Sequence, residues 1–373
     1  MLRATKVRLK PTEEQEQLLW KSTGVARWVY NWTLDKQQEN YQKGLKFLSD
    51  NELRKEITQL KKKDDFKWLG EVSNNVAKQA VKDACDAYKR FFKGLAQRPR
   101  FKSKRKSKPS FYNDNVKLKV KPRKVLIEKV GWVATSEQLP LDVKYSNPRV
   151  SYDGKYWYIA VGVEQEHVHT ELTDTVIGID LGIKSLAICS NGMTVKNINK
   201  TKAVKKIEKR LRRLQRSVSR KYEMNKEGSR FVKTCNIIKI EKEIRKLHRR
   251  LANLRTNHLH QATATIVKTK PCRVVMENLN VRGMLKNRHL AKAVAQQKFY
   301  EFTRQMAYKC EKSGIEFLQV GRFFPSSKTC SACGEIKTDL RLSDRTFKCS
   351  CGFVEDRDVN ASLNLANYGK SIA

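Results

Sequence analysis

Three acids and four cysteines carry the chemistry open to this 373-residue chain. Asp180 ends the apolar run TVIGI, Glu277 ends CRVVM, and Asp358 stands in EDRDVNASLNLAN, ahead of the helically spaced Ala361, Leu363, Leu365 and Ala366. Singly, each has an ordinary reading, since an acid after a strand is a turn residue and Asp358 suits a helix N-cap. Brought together, three carboxylates repel one another and hold their protons unless cations neutralise them. Two Mg²⁺ ions about 3.5–4 Å apart would stabilise both the attacking and the leaving oxygen in phosphodiester cleavage. The second group is Cys330-Ser-Ala-Cys333-Gly with Cys349-Ser-Cys351-Gly, a CxxC and a CxC separated by 15 residues. Four thiolates suit one tetrahedral Zn²⁺, and a glycine after each pair lets the turn tighten so that backbone N–H groups point at sulfur. Four sulfur ligands leave no open position, so this zinc is expected to be structural.

The elements that must position these residues follow from spacing. TVIGID, SLAICS and MTVKN, the last two joined by an Asn191-Gly192 turn, predict three antiparallel strands in succession. Val204, Ile207, Leu211, Leu214 and Val218 repeat at helical steps, as do Ile237, Ile240, Ile244, Leu247, Leu251 and Leu254, which predicts an antiparallel helical hairpin. Strand-Asp, hairpin, third strand, helices, strand-Glu and helix-Asp is the element order of an RNase H-like fold, which gathers three carboxylates at one sheet edge.

Upstream, Leu2 to Leu9 alternates as a half-buried strand does, and Thr12 with Gln15 resembles a capping box opening a helix-rich stretch to about Lys93. Its many aromatics, among them Trp20, Trp28, Trp32 and Tyr88, are read mostly as core. Alternating stretches at 116–120, 125–130, 149–152 and 156–163 predict a small antiparallel barrel or sheet that Leu2–Leu9 joins.

Lys and Arg number 78 against 38 Asp and Glu, a formal charge of +40, and such an excess needs a polyanionic partner. No apolar run approaches the roughly 18 residues of a membrane span, and the start lacks a signal-peptide core, so a soluble cytoplasmic protein without a membrane partner is expected. In such a compartment cysteines stay reduced, and the scattered Cys85, Cys189, Cys235, Cys272 and Cys310 read as small hydrophobes. The charge is spread along the chain, which favours nucleic acid over a membrane surface. RPRFKSKRKSK, residues 98–108, holds seven basic residues in eleven and no acid beside Phe101, Phe111 and Tyr112. That mixture suits phosphate neutralisation with base stacking. Residues 200–255 carry 21 Lys plus Arg against 5 acids, all outside the apolar positions, so the hairpin presents a basic outer surface.

GIDLGIKSLAI, VVMENLNVRGML, FFPSSKTCSACG and CGFVEDRDVNASLN together resemble the TnpB family encoded by insertion sequences. The resemblance extends to GVARWVYNW, WLGEV, AYKRFFKG and RPRFKSKRK, in the family's order over nearly the whole chain. It implies a prokaryotic, nucleoid-associated, Mg²⁺-dependent RNA-guided DNA endonuclease, a small relative of type V CRISPR effectors. A single RuvC-like site would cut both strands of double-stranded DNA beside a short flanking motif. The partners implied are a guide RNA from the transposon end and the target DNA, with one copy of the chain in the ribonucleoprotein. By position, Asp180, Glu277 and Asp358 match the family's catalytic, Mg²⁺-binding acids, and Cys330, Cys333, Cys349 and Cys351 its zinc ligands.

The same resemblance makes Asn74, Asn75, Lys78, Tyr112 and Asn113 candidates for reading the flanking motif. Arg98, Arg100, Lys102, Lys104 and Arg105 are candidate nucleic-acid contacts, as are Ser326, Ser327 and Lys328 beside the expected catalytic site. The implied organisation is α/β and multidomain. Residues 1–10 and 109–173 form a WED-like β-barrel interrupted by a helical REC-like domain over 11–108. Residues 174–322 and 352–373 form the RuvC-like nuclease, with 200–255 as its inserted basic hairpin and 323–351 as the zinc-binding module. Other functions compatible with these residues are a nuclease-inactive RNA-guided DNA-binding protein, a compact type V CRISPR effector, or a transposase that itself joins DNA ends.

Overall fold

Alternation from Leu2 onward builds strand β1 (Leu2–Lys10), which buries Val7 and Leu9 and turns Lys6 and Lys10 outward. In this computed structural model, residues 2–104, 106–164, 171–341 and 344–372 are described. The chain divides into two compact units, Met1–Gln165 and Glu166–Ala373.

In the first unit the capping box forms as expected. Thr12 accepts from the Gln15 backbone N–H while the Gln15 side chain accepts from Thr12 N–H, opening helix α1 (Glu13–Gln42). Helices α2 (Asp50–Leu60) and α3 (Asn74–Phe92) follow, separated by a 3₁₀ turn over Asp64–Gly70. The β-rich part then supplies β2 (Ser110–Tyr112), β3 (Lys119–Lys121), β4 (Lys124–Ile127), β5 (Gly131–Thr135), β6 (Tyr145–Tyr152) and β7 (Trp157–Glu164). With β1 they form an antiparallel sheet in the order β2-β6-β7-β1-β5-β4-β3. Among the described residues this is an open sheet and not a closed barrel. Its end strands, β2 and β3, pair with β6 and β4 and not with each other. Helices and sheet share one core, in which Leu19, Val29, Val81, Val133 and Ile159 are fully buried. Tyr30 and Tyr88 are buried as expected of core aromatics, whereas Trp20, Trp68 and Phe92 keep a third or more of their surface exposed.

The second unit begins with the three predicted strands, β8 (Thr173–Leu181), β9 (Ser185–Cys189) and β10 (Thr194–Lys196), paired antiparallel in succession. The predicted hairpin follows as α4 (Lys202–Met224) and α5 (Cys235–Lys268), with a minimal ladder of β11 (Lys226–Glu227) and β12 (Arg230–Phe231) at its tip. Val204, Ile207 and Leu211 meet Leu247 and Leu251 in a cluster of their own. Helix α5 runs beyond Leu254, and its second half buries Leu259, Ala262 and Ile266 in the core of the sheet, so one helix both forms the hairpin and anchors it. Next come β13 (Pro271–Glu277), α6 (Val281–Met284), α7 (Ala291–Gln297), α8 (Phe299–Lys312), β14 (Glu316–Val320), β15 (Thr346–Lys348), β16 (Val354–Asp356) and α9 (Arg357–Ser371).

The main sheet has the order β10-β9-β8-β13-β14, in which β13 runs parallel to both β8 and β14. Helix α9 lies directly on β8, and glycine makes that approach possible. A Cβ on Gly178 would sit 2.0 Å from Ser362 O and 2.5 Å from Ala366 N.

Candidate active site

Two of the three acids are placed by strand register. Ile179 of β8 faces Met276 of β13 in a parallel pair, so the next residues, Asp180 and Glu277, fall side by side at the C-terminal ends of neighbouring strands. Side chains in register on parallel strands leave the same face of the sheet. The third acid arrives on α9, whose Ala361, Leu365 and Ala366 are buried.

Asp358 is not the cap of that helix. Asp356 takes the position, with φ −60° and ψ 134°, and its Oδ1 accepts from the backbone N–H groups of Asp358 and Val359. Either acid of EDRD suits an N-cap by type, and the extended backbone at Asp356 decides between them. The consequence is chemical: with the helix end served by Asp356, the Asp358 carboxylate is released from capping. It instead accepts from Arg357 Nη2 at 3.1 Å and Nε at 3.3 Å, and Arg345 Nη1 lies 3.9 Å from its other oxygen.

Electrostatics joins the three acids. Burial pushes the Asp180 carboxyl well above the usual carboxylate range, and the charges of Glu277 and Asp358 push it further, opposed by that of Arg357. Glu277 is held by Ser326, whose hydroxyl donates to Oε1. Ser326 was expected to touch nucleic acid. It is 2% exposed and accepts at its carbonyl from Asn364 Nδ2 at 2.7 Å, so its side chain is turned inward to Glu277 and its backbone is tied to α9. Ser327 is partly exposed, and Lys328 is exposed with Nζ 3.2 Å from Thr338 O.

An asparagine stripe on α9, unremarked in the sequence, ties the acids to the cysteines. Asn360 and Asn364 donate to Thr329 O at 2.7 and 2.6 Å, Asn360 Oδ1 accepts from Ser331 N–H, and Asn367 donates to Ser331 O. The spacing 360, 364, 367 is one helix face, and polar residues on the buried side of an otherwise apolar helix were the available signal.

Next to Thr329 the cysteines converge. Cys330 Sγ lies 3.7 Å from Cys351 Sγ, and Cys333 Sγ 3.6 Å from Cys349 Sγ. The four sulfur atoms all lie within 4.8 Å of one another. An ion with sulfur ligands at about 2.3 Å requires tetrahedral edges of about 3.8 Å, so this group could hold a metal ion. Gly334 and Gly352, with φ of +82° and +88°, close the turns after each pair as their sequence positions suggest. Burial opposes ionisation of Cys330, but the N–H groups of Cys333 and Ala332 reach its sulfur and the thiol comes down to about 7. At Cys349 the Cys351 N–H favours the thiolate, but desolvation, donation to Glu335 Oε2 at 3.2 Å and the neighbouring thiols outweigh it and push the group up to about 12.

The remaining candidates lie in the first unit. Asn74, Asn75 and Lys78 sit in the first turns of α3, with Asn74 accepting from Lys61 Nζ at 2.6 Å. Glu128 joins this helix start to the segment after β2: it accepts from Asn75 Nδ2 at 3.1 Å and from Ser73 Oγ, while its N–H donates to Asn113 Oδ1 at 3.0 Å. The expectation that Asn113 contacts nucleic acid is corrected by its burial. It is 3% exposed and its Nδ2 donates to Asp114 O, so both ends of the amide are occupied within the protein. Tyr112 stays partly open, with the Arg149 guanidinium over its ring at 5.5 Å and Arg149 held by Asp83 through bonds of 2.6 and 2.8 Å. Arg98, Arg100 and Lys104 are exposed. Lys102 is half-buried with Nζ 3.5 Å above the Tyr30 ring, and Arg105 lies outside the described residues.

Three family profiles match: "Helix-turn-helix domain" over residues 1–46, "Probable transposase" over 158–288, and "Cas12f1-like, TNB domain" over 299–365. In the structure the first of these segments is a strand and one continuous helix. A protein of Streptomyces pristinaespiralis, provisionally named an RNA-guided DNA endonuclease, is 32% identical over 98% of this chain and 89% of its own. InsQ of Escherichia coli (strain K12), with the same provisional name, is 29% identical over 100% of this chain and 93% of its own. A Cas12f1 chain, solved by cryo-EM in a complex with sgRNA and target DNA, superposes with a TM-score of 0.61 at 14% identity, covering 98% of this chain and 99% of that one. The fold is that of the compact Cas12-type effectors. The chain belongs to the TnpB family of insertion-sequence proteins.

Proposed function

We propose that this protein is an RNA-guided endonuclease of a transposable element, which cuts double-stranded DNA beside a short flanking motif. The second unit is read as an RNase H-like, RuvC-type nuclease domain with one active site. The observation that carries this reading is the convergence of Asp180, Glu277 and Asp358 from β8, β13 and α9 at one end of a sheet whose order is β10-β9-β8-β13-β14. Two relatives that match nearly the whole chain bear the corresponding name.

The donor set fits divalent metal. Three carboxylates, one of them pushed toward its neutral form first by burial and then by the charges of the other two, hold negative charge that a hard cation with oxygen ligands would relieve. Asp180, Glu277 and Asp358 would hold Mg²⁺, which when bound activates water and neutralises charge on the scissile phosphate. The chain's own residues prepare that site. Ser326 fixes the rotamer of Glu277, Asp356 satisfies the α9 end so that the Asp358 carboxylate stays available, and the asparagine stripe locks α9 to the loop that bears Ser326. Guide RNA and DNA are held through the basic surface, with Arg98, Arg100, Lys104 and the hairpin's outer face neutralising phosphates and Tyr112 offering a stacking surface. Sequence selection is left to base pairing, which explains a protein rich in backbone-binding cations.

The test is to express the chain with its native flanking DNA, purify it through high salt, and sequence the RNA that remains bound. A single species from the gene's border with a variable end is expected, and it should direct Mg²⁺-dependent cutting of a matched duplex. A random RNA mixture and no directed cutting would refute the proposal.

The four cysteines are assigned one structural zinc. Replacing Cys330 with Ser is expected to reduce bound zinc, read by a chromogenic chelator after denaturation, from stoichiometric to near zero. The loop from Ser326 to Ser331 would then become sensitive to protease, because metal and asparagine stripe hold it from opposite sides.

A further inference from the structure

The third acid is restrained by its neighbour in the chain. Arg357 directs Nε and Nη2 at one oxygen, Asp358 Oδ1, and the two side chains are only 14% and 16% exposed. The root of the arginine is fixed as well, since its backbone N–H donates to Arg345 O at 2.8 Å. Asp356 meets the positive end of α9, so the pair Arg357–Asp358 is not part of the helix cap. A largely buried guanidinium against a carboxylate, beside two further acids, supplies part of the charge neutralisation that a cation would give.

We infer that Arg357 is a positioning residue that occupies Asp358 Oδ1 in the metal-free protein and competes with divalent metal for that oxygen. It keeps the third acid ordered through the bonds from Nε and Nη2, and must yield Oδ1 when Asp358 becomes a ligand. This rests on the metal-site reading above, and the experiment separates the two.

Mn²⁺ binding to the purified full-length ribonucleoprotein is followed by electron paramagnetic resonance of the free ion, for the parent protein and for D180A, R357Q and R357K. R357Q keeps the polar, planar end without the charge, and its Mn²⁺ affinity is expected to rise on the order of tenfold, the scale of losing one close competing charge. R357K, which keeps the charge, should show little of that gain. An R357Q affinity equal to or below the parent's, with the thermal transition of the second unit retained, would overturn the inference. So would an equal gain in R357K, which would trace the effect to shape; that comparison also serves if R357Q fails to fold. The metal-site reading fails separately, if D180A binds Mn²⁺ as tightly as the parent protein.

Discussion

Replacing Asp180 with Asn is expected to abolish DNA cleavage, by at least about three orders of magnitude or ~4 kcal/mol of barrier, while binding of RNA and target DNA persists. The carboxyl sits near the end of β8 beside Glu277, and the charges of both other proposed metal ligands act on it. The same substitution should stabilise the protein in the absence of metal, and the sign follows from linkage. An unfolded aspartate ionises near pH 3.9. The folded Asp180 keeps its proton to higher pH, first because it is buried and then because Glu277 and Asp358 are near. Above the unfolded value the unfolded chain therefore binds fewer protons, and stability declines as pH rises through the folded value. Asn carries no such charge. Thermal melting of metal-free samples at neutral pH should place the Asn variant above the parent, and added Mg²⁺ should raise only the parent. A variant that still cuts, or melts lower than the parent without metal, would remove Asp180 from the centre of the site.

Gly178→Ala is the second large effect, and it acts at a distance from any chemistry. The new Cβ would lie 2.0 Å from Ser362 O, 2.5 Å from Ala366 N and 2.8 Å from Leu365 Cβ, where ordinary contacts need about 3.5 Å or more. Two of the three neighbours are backbone atoms of α9, so no rotamer change relieves the clash and the helix must lift from β8. Overpacking of this kind costs about 1–3 kcal/mol or more. Because Asp358 rides on α9, a shift near 1 Å should also reduce cleavage on the order of a hundredfold. Gly24→Ala is the control, since that glycine lies within α1 and a Cβ there meets nothing within 4 Å; it should be neutral or stabilising. A Gly178→Ala protein that melts and cuts like the parent would mean that α9 does not depend on this close approach.

These two residues also mark what could be read before the structure. Asp180 was legible because an acid that ends an apolar run is a local pattern, and the same holds for Glu277, the capping box at Thr12 and the two helices with leucine and isoleucine at helical steps. Gly178 lies in the same motif, yet its function depends on a helix nearly two hundred residues away in the chain, and no local pattern announces that partner. Ser326 and Asn113 failed in the same manner. Both are small polar residues in irregular segments, Asn113 just past β2 and Ser326 opening a turn, positions that are usually solvated, and both are buried because a carboxylate or backbone group distant in the chain needs them. The choice between Asp356 and Asp358 as cap was finer still, since it turned on one ψ angle.

The dispersal of the acids along the chain sets an order of events during synthesis. The first unit contains its own core and is complete before β8 leaves the ribosome, whereas β8, β13 and α9 each hold one acid and lie far apart in the sequence. No nascent chain shorter than 358 residues carries all three. A stop between the end of α5 and Asp358 therefore leaves the first unit and the basic hairpin intact but the proposed metal site incomplete, so under the proposed function only chains translated past the third acid would cut DNA.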